Sequence, residues 1–126
     1  MVMKILLIDD DPRVLRGMAR HLRQHGNTVY ESTGWTPGIP ALLGSLDVVV
    51  TDWNMPGANG LDILKECKRL APDLPVIIFT AADLRESISE AAEAGAHCWV
   101  VKPNTDQLLV DLWFLKAAQE HARKVA

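Results

Sequence analysis

The chain has 126 residues, 48% of them apolar and 23% charged, and a formal net charge of −3. That length predicts one domain over 1–126 with one substantial core, because about two-thirds of the unfolded surface can be buried. The composition excludes a disordered, collagen-like or coiled-coil chain, and the acidic balance implies no nucleic-acid surface. No apolar run approaches the roughly 20 residues of a membrane helix, so no membrane association is expected. A basic-then-apolar leader is not expected either. Cys67 and Cys98 lack CxxC spacing and read as free thiols of a reducing cytoplasm.

Short apolar runs alternate with helical patterns along the whole chain. Lys4–Ile8 reads as a buried strand. Pro12–Gln24 follows as a helix with Val14, Leu15, Met18, Ala19 and Leu22 on one side. Thr28–Glu31 is a short strand. Thr36–Leu43 is ambiguous, because Pro37, Gly38 and Pro40 weaken any helix there. Leu46–Thr51 is a strand, Leu61–Leu70 a helix and Val76–Thr80 another apolar strand. Leu84–Ala94 is an Ala-rich helix closed by Gly95, Cys98–Val101 the last strand, and Thr105–Arg123 a long terminal helix. Strict alternation of this kind predicts a doubly wound α/β fold, a parallel sheet with helices on both faces. Ligands of such folds sit beyond the carboxyl ends of the strands.

Four strand ends carry chemistry. The first runs into Asp9-Asp10-Asp11-Pro12, the third into Asp52, the fourth ends at Thr80, and the fifth runs into Lys102-Pro103. Asp11-Pro12 reads as a helix start, with Asp as the cap and Pro at the first helical position. Asp9 and Asp10 cannot both be caps. Clustered carboxylates repel one another unless a cation sits between them. Mg²⁺ suits the set, because it takes one or two carboxylates, keeps water and shares its remaining positions with phosphate. Lys102 adds a point charge for a phosphoryl oxygen, and Thr80 adds a hydroxyl donor. Asp52 could be a carboxylate nucleophile, and phosphoryl transfer asks mostly for positioning and neutralisation.

With those residues in place, the chain resembles the receiver, or phosphoacceptor, domain of bacterial two-component response regulators. The Asp52-Trp53-Asn54-Met55-Pro56 run is similar to the chemotaxis-type regulators. The resemblance implies a flavodoxin-like three-layer sandwich, its five parallel strands in the order 2-1-3-4-5. It implies phosphorylation of Asp52 by a histidine kinase or histidine phosphotransfer domain. It also implies a Mg²⁺ site made of Asp9, Asp10, Asp52 and the backbone carbonyl of Asn54. Thr80 and Lys102 would contact the phosphoryl group, and the Lys102–Pro103 bond would be cis. Thr80 and Trp99 would switch the face formed by Leu84–Ala94, the last strand and Thr105–Arg123. Trp99 is bulkier than the Tyr or Phe usual there, so the inward pocket would need repacking. Asn104 stands where an aromatic residue is common, and Asn59 where Asp is common, with Gly60 permitting a tight turn.

Two surfaces bear on partners. Arg13, Arg16, Arg20 and Arg23 recur at helical spacing, either as a solvated stripe or as a dock for the kinase's helical domain. Leu108–Leu115 is apolar on more than one side, which suits either a wide packing face or an interface for a homodimer or an output protein. An enzyme is not expected beyond the chain's own phosphorylation and dephosphorylation. A flavodoxin-like carrier would want a hydroxyl- and Gly-rich loop where three aspartates stand. A phosphatase would want an acid where Asn54 stands. The remaining alternative is a phosphorylation-independent receiver-like interaction domain.

Overall fold

The computed structural model describes residues 2–57 and 59–125; residues 1, 58 and 126 lie outside the described residues. Its elements are β1 (Lys4–Ile8), α1 (Pro12–Gln24), β2 (Thr28–Ser32), α2 (Ile39–Leu42), β3 (Val48–Thr51), α3 (Gly60–Leu70), β4 (Val76–Thr80), α4 (Arg85–Glu93), β5 (Cys98–Val101) and α5 (Thr105–Val125). The five strands form one parallel sheet in the order β2-β1-β3-β4-β5, as expected.

The near-continuous apolar strands follow from the two covered faces. Side chains alternate across a strand, so β1, β3 and β4 each feed two cores, while the edge strand β2 buries only Val29. Ile5, Leu7, Val48, Val50, Ile77 and Phe79 pack on the α1 and α5 side against Leu15, Leu22, Leu108 and Leu112. Leu6, Ile8, Val49, Val76 and Ile78 pack on the other side against Ile39, Ile63, Leu64 and Ala91. The free thiols are split between these faces. Burial pushes Cys67 up to about 11. Burial, the Asp111 charge and a hydrogen bond to it push Cys98 up to about 12. Both thiols are therefore protonated and unreactive at neutral pH.

The helix ends are capped by their own sequence. Asp11 accepts from the Arg13 N–H at 2.9 Å, with Pro12 at the first helical position. Asn59 accepts from the Asp62 N–H, and Asn104 from the Gln107 N–H, each at 3.0 Å. These two asparagines, departures from the resembled pattern, are thus helix N-caps. The ambiguous Thr36–Leu43 segment resolves into one α-turn, α2, and a 3₁₀ turn at Leu43–Ser45. β3 starts two residues later than expected. Leu46 instead closes the 3₁₀ turn, and Asp47 straps β1 by accepting the Lys4 N–H and donating its own N–H to the Lys4 carbonyl, each at 2.8 Å. α4 is the least anchored of the longer helices: Ala91 is its one buried residue, and no side chain caps its N-terminus.

Candidate functional site

The β1, β3, β4 and β5 ends meet on one edge of the sheet, where β1 and β4 flank β3. Asp9 is buried just past β1, Asp10 is exposed, and Asp52 is half-buried just past β3. Carboxylate oxygens of the three lie within 4.8 Å of one another. The sequence therefore brings together the three acids it was expected to. Asp10 makes no hydrogen bond or ion pair among the described residues, which leaves its carboxylate free to meet a cation.

Lys102 reaches across from the end of β5. Its ammonium forms an ion pair with Asp9 and lies 3.1 Å from Asp52 Oδ2. Burial alone would lower the Lys102 pKa. The hydrogen bond to Asp9, the Asp52 charge, the bond to Asp52 and the Asp9 charge outweigh that and hold it above the ordinary lysine value. Lys102 is thus a fixed positive charge at neutral pH. The Lys102–Pro103 bond is cis, as the resemblance implied, and Pro103 itself is exposed.

The backbone orients the acids. Asp9 Oδ1 accepts the Asp11 N–H at 2.9 Å. Asp52 Oδ1 accepts the Trp53 N–H at 2.7 Å and the Asn54 N–H at 3.4 Å. One oxygen of Asp52 is therefore held by the chain that follows it, while the other faces Lys102. Asn54 is exposed beside this turn. Thr80 is buried at the end of β4, and its hydroxyl accepts the Ala82 N–H at 3.4 Å.

Trp99 sits half-buried on the α3 and α4 side of the sheet. Its ring centroid is 5.1 Å from that of Trp53, and its indole N–H donates to the Ala82 carbonyl at 3.1 Å. The bulkier ring is accommodated by packing on the residue next to Asp52. This contact links the third strand end, the β4–α4 loop and β5, and spacing along the chain gave no sign of it.

Gly60 permits the close turn without a positive φ. Among the described glycines, positive φ occurs at Gly26, Gly57 and Gly95, not at Gly60. What Gly60 supplies is room: a Cβ there would lie 2.5 Å from the Asp52 carbonyl oxygen and 2.6 Å from the Trp53 Cα. Its N–H also donates to the Trp53 carbonyl at 2.8 Å. The start of α3 is thus clamped onto the backbone of the acid.

These features place the protein in a class. The chain belongs to the response regulator receiver domain family, whose model matches residues 5–113. It is 42% identical to the chemotaxis protein CheY of Pseudomonas aeruginosa over 111 residues, 85% of this chain and 90% of that protein. It is 43% identical to the chemotaxis protein CheY-3 of Vibrio cholerae over 107 residues, 82% of each chain. Among solved structures, a response regulator receiver domain protein from Clostridium thermocellum superposes with a TM-score of 0.83 at 32% identity. That superposition covers 98% of this chain and 99% of the other.

The glycine clamp is testable. Gly60→Ala is expected to destabilise the fold by about 1–3 kcal/mol, as overpacking against fixed backbone does. The change should also shift the fluorescence of Trp53, measured with Trp35, Trp99 and Trp113 replaced by Phe in both backgrounds. Unchanged melting and emission would show that the α3 start can move away without disturbing the site.

Proposed function

We propose that this receiver domain takes a phosphoryl group onto Asp52 from the phosphohistidine of a histidine kinase or histidine phosphotransfer domain. The observation that carries the reading is the Lys102 ammonium lying between Asp9 and Asp52 at the strand ends, with Asp10 free beside them. A Mg²⁺ ion held by Asp9, Asp10, Asp52 and the Asn54 carbonyl would neutralise phosphoryl oxygens. The donor set fits a hard divalent ion, being all oxygen, clustered and anionic.

In the step itself, an ionised Asp52 oxygen attacks phosphorus in line. The new O–P bond forms as the N–P bond breaks, and the electron pair leaves with the imidazole nitrogen of the donor. The Trp53 and Asn54 N–H groups steady the attacking carboxylate through Oδ1. Lys102 donates to a phosphoryl oxygen, and the Thr80 hydroxyl turns from Ala82 to do the same. That turn frees the Ala82 segment, which the Trp99 indole also holds, and so reaches α4. With one buried residue and no side-chain cap, α4 is suited to move. Signal output then passes through α4, β5 and α5 to an output domain or protein.

Two named relatives are chemotaxis proteins, and we read this chain as a regulator of that type, acting in the cytoplasm as a signalling phosphoacceptor. No reaction on an outside substrate is proposed. The phosphorylation-independent alternative leaves the Lys102 bridge and the free Asp10 carboxylate without a use.

Incubation with acetyl phosphate and Mg²⁺ is expected to add one phosphoryl mass to the intact protein and none to Asp52→Ala. Equal uptake by the variant would remove Asp52 as acceptor. Docking has its own test. Arg23 pairs with Glu31 at 2.8 Å and donates to the Val29 carbonyl at 2.6 Å, so it serves the β2 edge. Arg13, Arg16 and Arg20 are exposed and make no ion pair among the described residues. Reversing the charge of Arg16 and Arg20 should slow transfer from the kinase by about tenfold or more while sparing acetyl phosphate. Equal slowing with both donors would place the defect in the site rather than in docking.

A further inference from the structure

A groove between the end of α1 and the middle of α5 holds a charge that the phosphoacceptor chemistry does not use. Its volume of ≈ 410 Å³ falls within the roughly 300–1,000 Å³ of small-molecule sites. Met3 and Leu112 line it as buried apolar residues, and Trp113 lines it as an exposed one. The Phe114 ring packs edge-on against Trp113, with centroids 5.2 Å apart, and steadies that side of the groove. Met3 precedes β1 and His25 follows α1, so the groove lies at the opposite edge of the sheet from Asp52.

The charge is that of Lys116, and among the described residues no acid lines the groove with it. A surface lysine normally lays its stem on apolar neighbours and keeps its ammonium in open water. Lys116 is only 8% exposed, yet it forms no ion pair or hydrogen bond among the described residues. The acceptors that border the groove are already engaged. The His25 ring donates through Nδ1 to the His21 carbonyl at 3.0 Å. The Leu22 carbonyl accepts Asn27 Nδ2 at 3.0 Å and the His25 N–H at 3.1 Å. Asn27 Oδ1 accepts the Met3 N–H at 3.2 Å. A covered ammonium without a partner is costly, and the chain supplies no counter-charge for this one.

We propose that this groove is a binding site for a small aromatic carboxylate, its anionic end on the Lys116 ammonium and its ring against Leu109, Leu112 and Trp113. The single cation sets the ligand's charge. A monoanion balances one lysine, whereas a phosphate dianion or a nucleotide would bring charge that nothing in the lining meets. The apolar lining sets its body. A neutral ligand would cover Leu109 and Trp113 but leave the ammonium unpaired, and an inorganic anion would leave the apolar lining wet. Occupancy is independent of phosphorylation at Asp52, because the two sites share no residue and lie at opposite ends of the strands.

Amide-resolved NMR of the full chain, titrated with naphthoate and with its neutral isostere naphthamide, tests this in the wild type, Lys116→Met and Trp113→Ala. Circular dichroism checks that each variant folds. Naphthoate should shift the signals of Asn27, Trp113 and Lys116 saturably, with the high-micromolar to millimolar affinity of a fragment. It should bind about tenfold more tightly than naphthamide, the difference made by a charge-assisted contact. Lys116→Met should erase that preference while leaving naphthamide affinity within about twofold. Trp113 is exposed, so Trp113→Ala probes the site without disturbing the core, and it should weaken both probes by about tenfold. Absence of saturable shifts with millimolar naphthoate overturns the proposal. So does equal affinity for the two probes, a preference that survives Lys116→Met, or binding indifferent to Trp113→Ala.

Discussion

The site depends on one electrostatic constraint. Three aspartates hold carboxylate oxygens within 4.8 Å of one another, and one lysine lies against two of them. Like charges this close repel one another, least where Asp10 meets solvent and most where Asp9 is buried. One ammonium cannot cancel three carboxylates; two negative charges remain. A divalent cation carries the charge that balances them, and a phosphoryl group brings back negative charge that the same cation and Lys102 can share. The fold serves this arrangement by ending four parallel strands on one edge and by pinning Asp9 and Asp52 through backbone N–H groups.

Much of this was legible along the chain. Strands made of Val, Ile and Leu on both faces can only be buried on both faces, and alternation with helices then fixes a parallel sheet. Asp9, Asp10, Asp52, Thr80 and Lys102 each follow or close such a strand, so the topology alone gathers them. The helix caps were half legible. Asp11-Pro12 declares itself, whereas Asn59 and Asn104 stood out as departures before their hydrogen bonds showed what they do.

What could not be read was contact between residues far apart in sequence. Lys102 bridges Asp9 and Asp52 across 93 and 50 positions. Trp99 meets Trp53, and Gly60 yields room to the backbone of Asp52 and Trp53. Periodicity assigns such residues to a face but does not say which neighbour fills it. The same limit shifted the start of β3: Leu46 is apolar because it turns into the core from a 3₁₀ turn, not because it lies in a ladder. Arg23 shares the spacing of its fellow arginines yet belongs to the β2 edge, which only the observed bonds to Glu31 and Val29 reveal.

The division of labour between rigid and yielding parts follows from burial. The sheet, α1 and α3 are tied by apolar contacts on every turn, and they hold the acids in place. α4 is tied at one residue, and the Ala82 segment before it hangs on the Thr80 hydroxyl and the Trp99 indole. A charge added at Asp52 thus acts where the structure yields most readily. The most direct measurement of the central claim is isothermal titration calorimetry with MgCl₂ on the folded protein. Single-site binding is expected, and it should be lost in Asp10→Ala, with both proteins folded by circular dichroism. Absence of binding by the wild type at millimolar Mg²⁺, or unchanged binding by the variant, would contradict it.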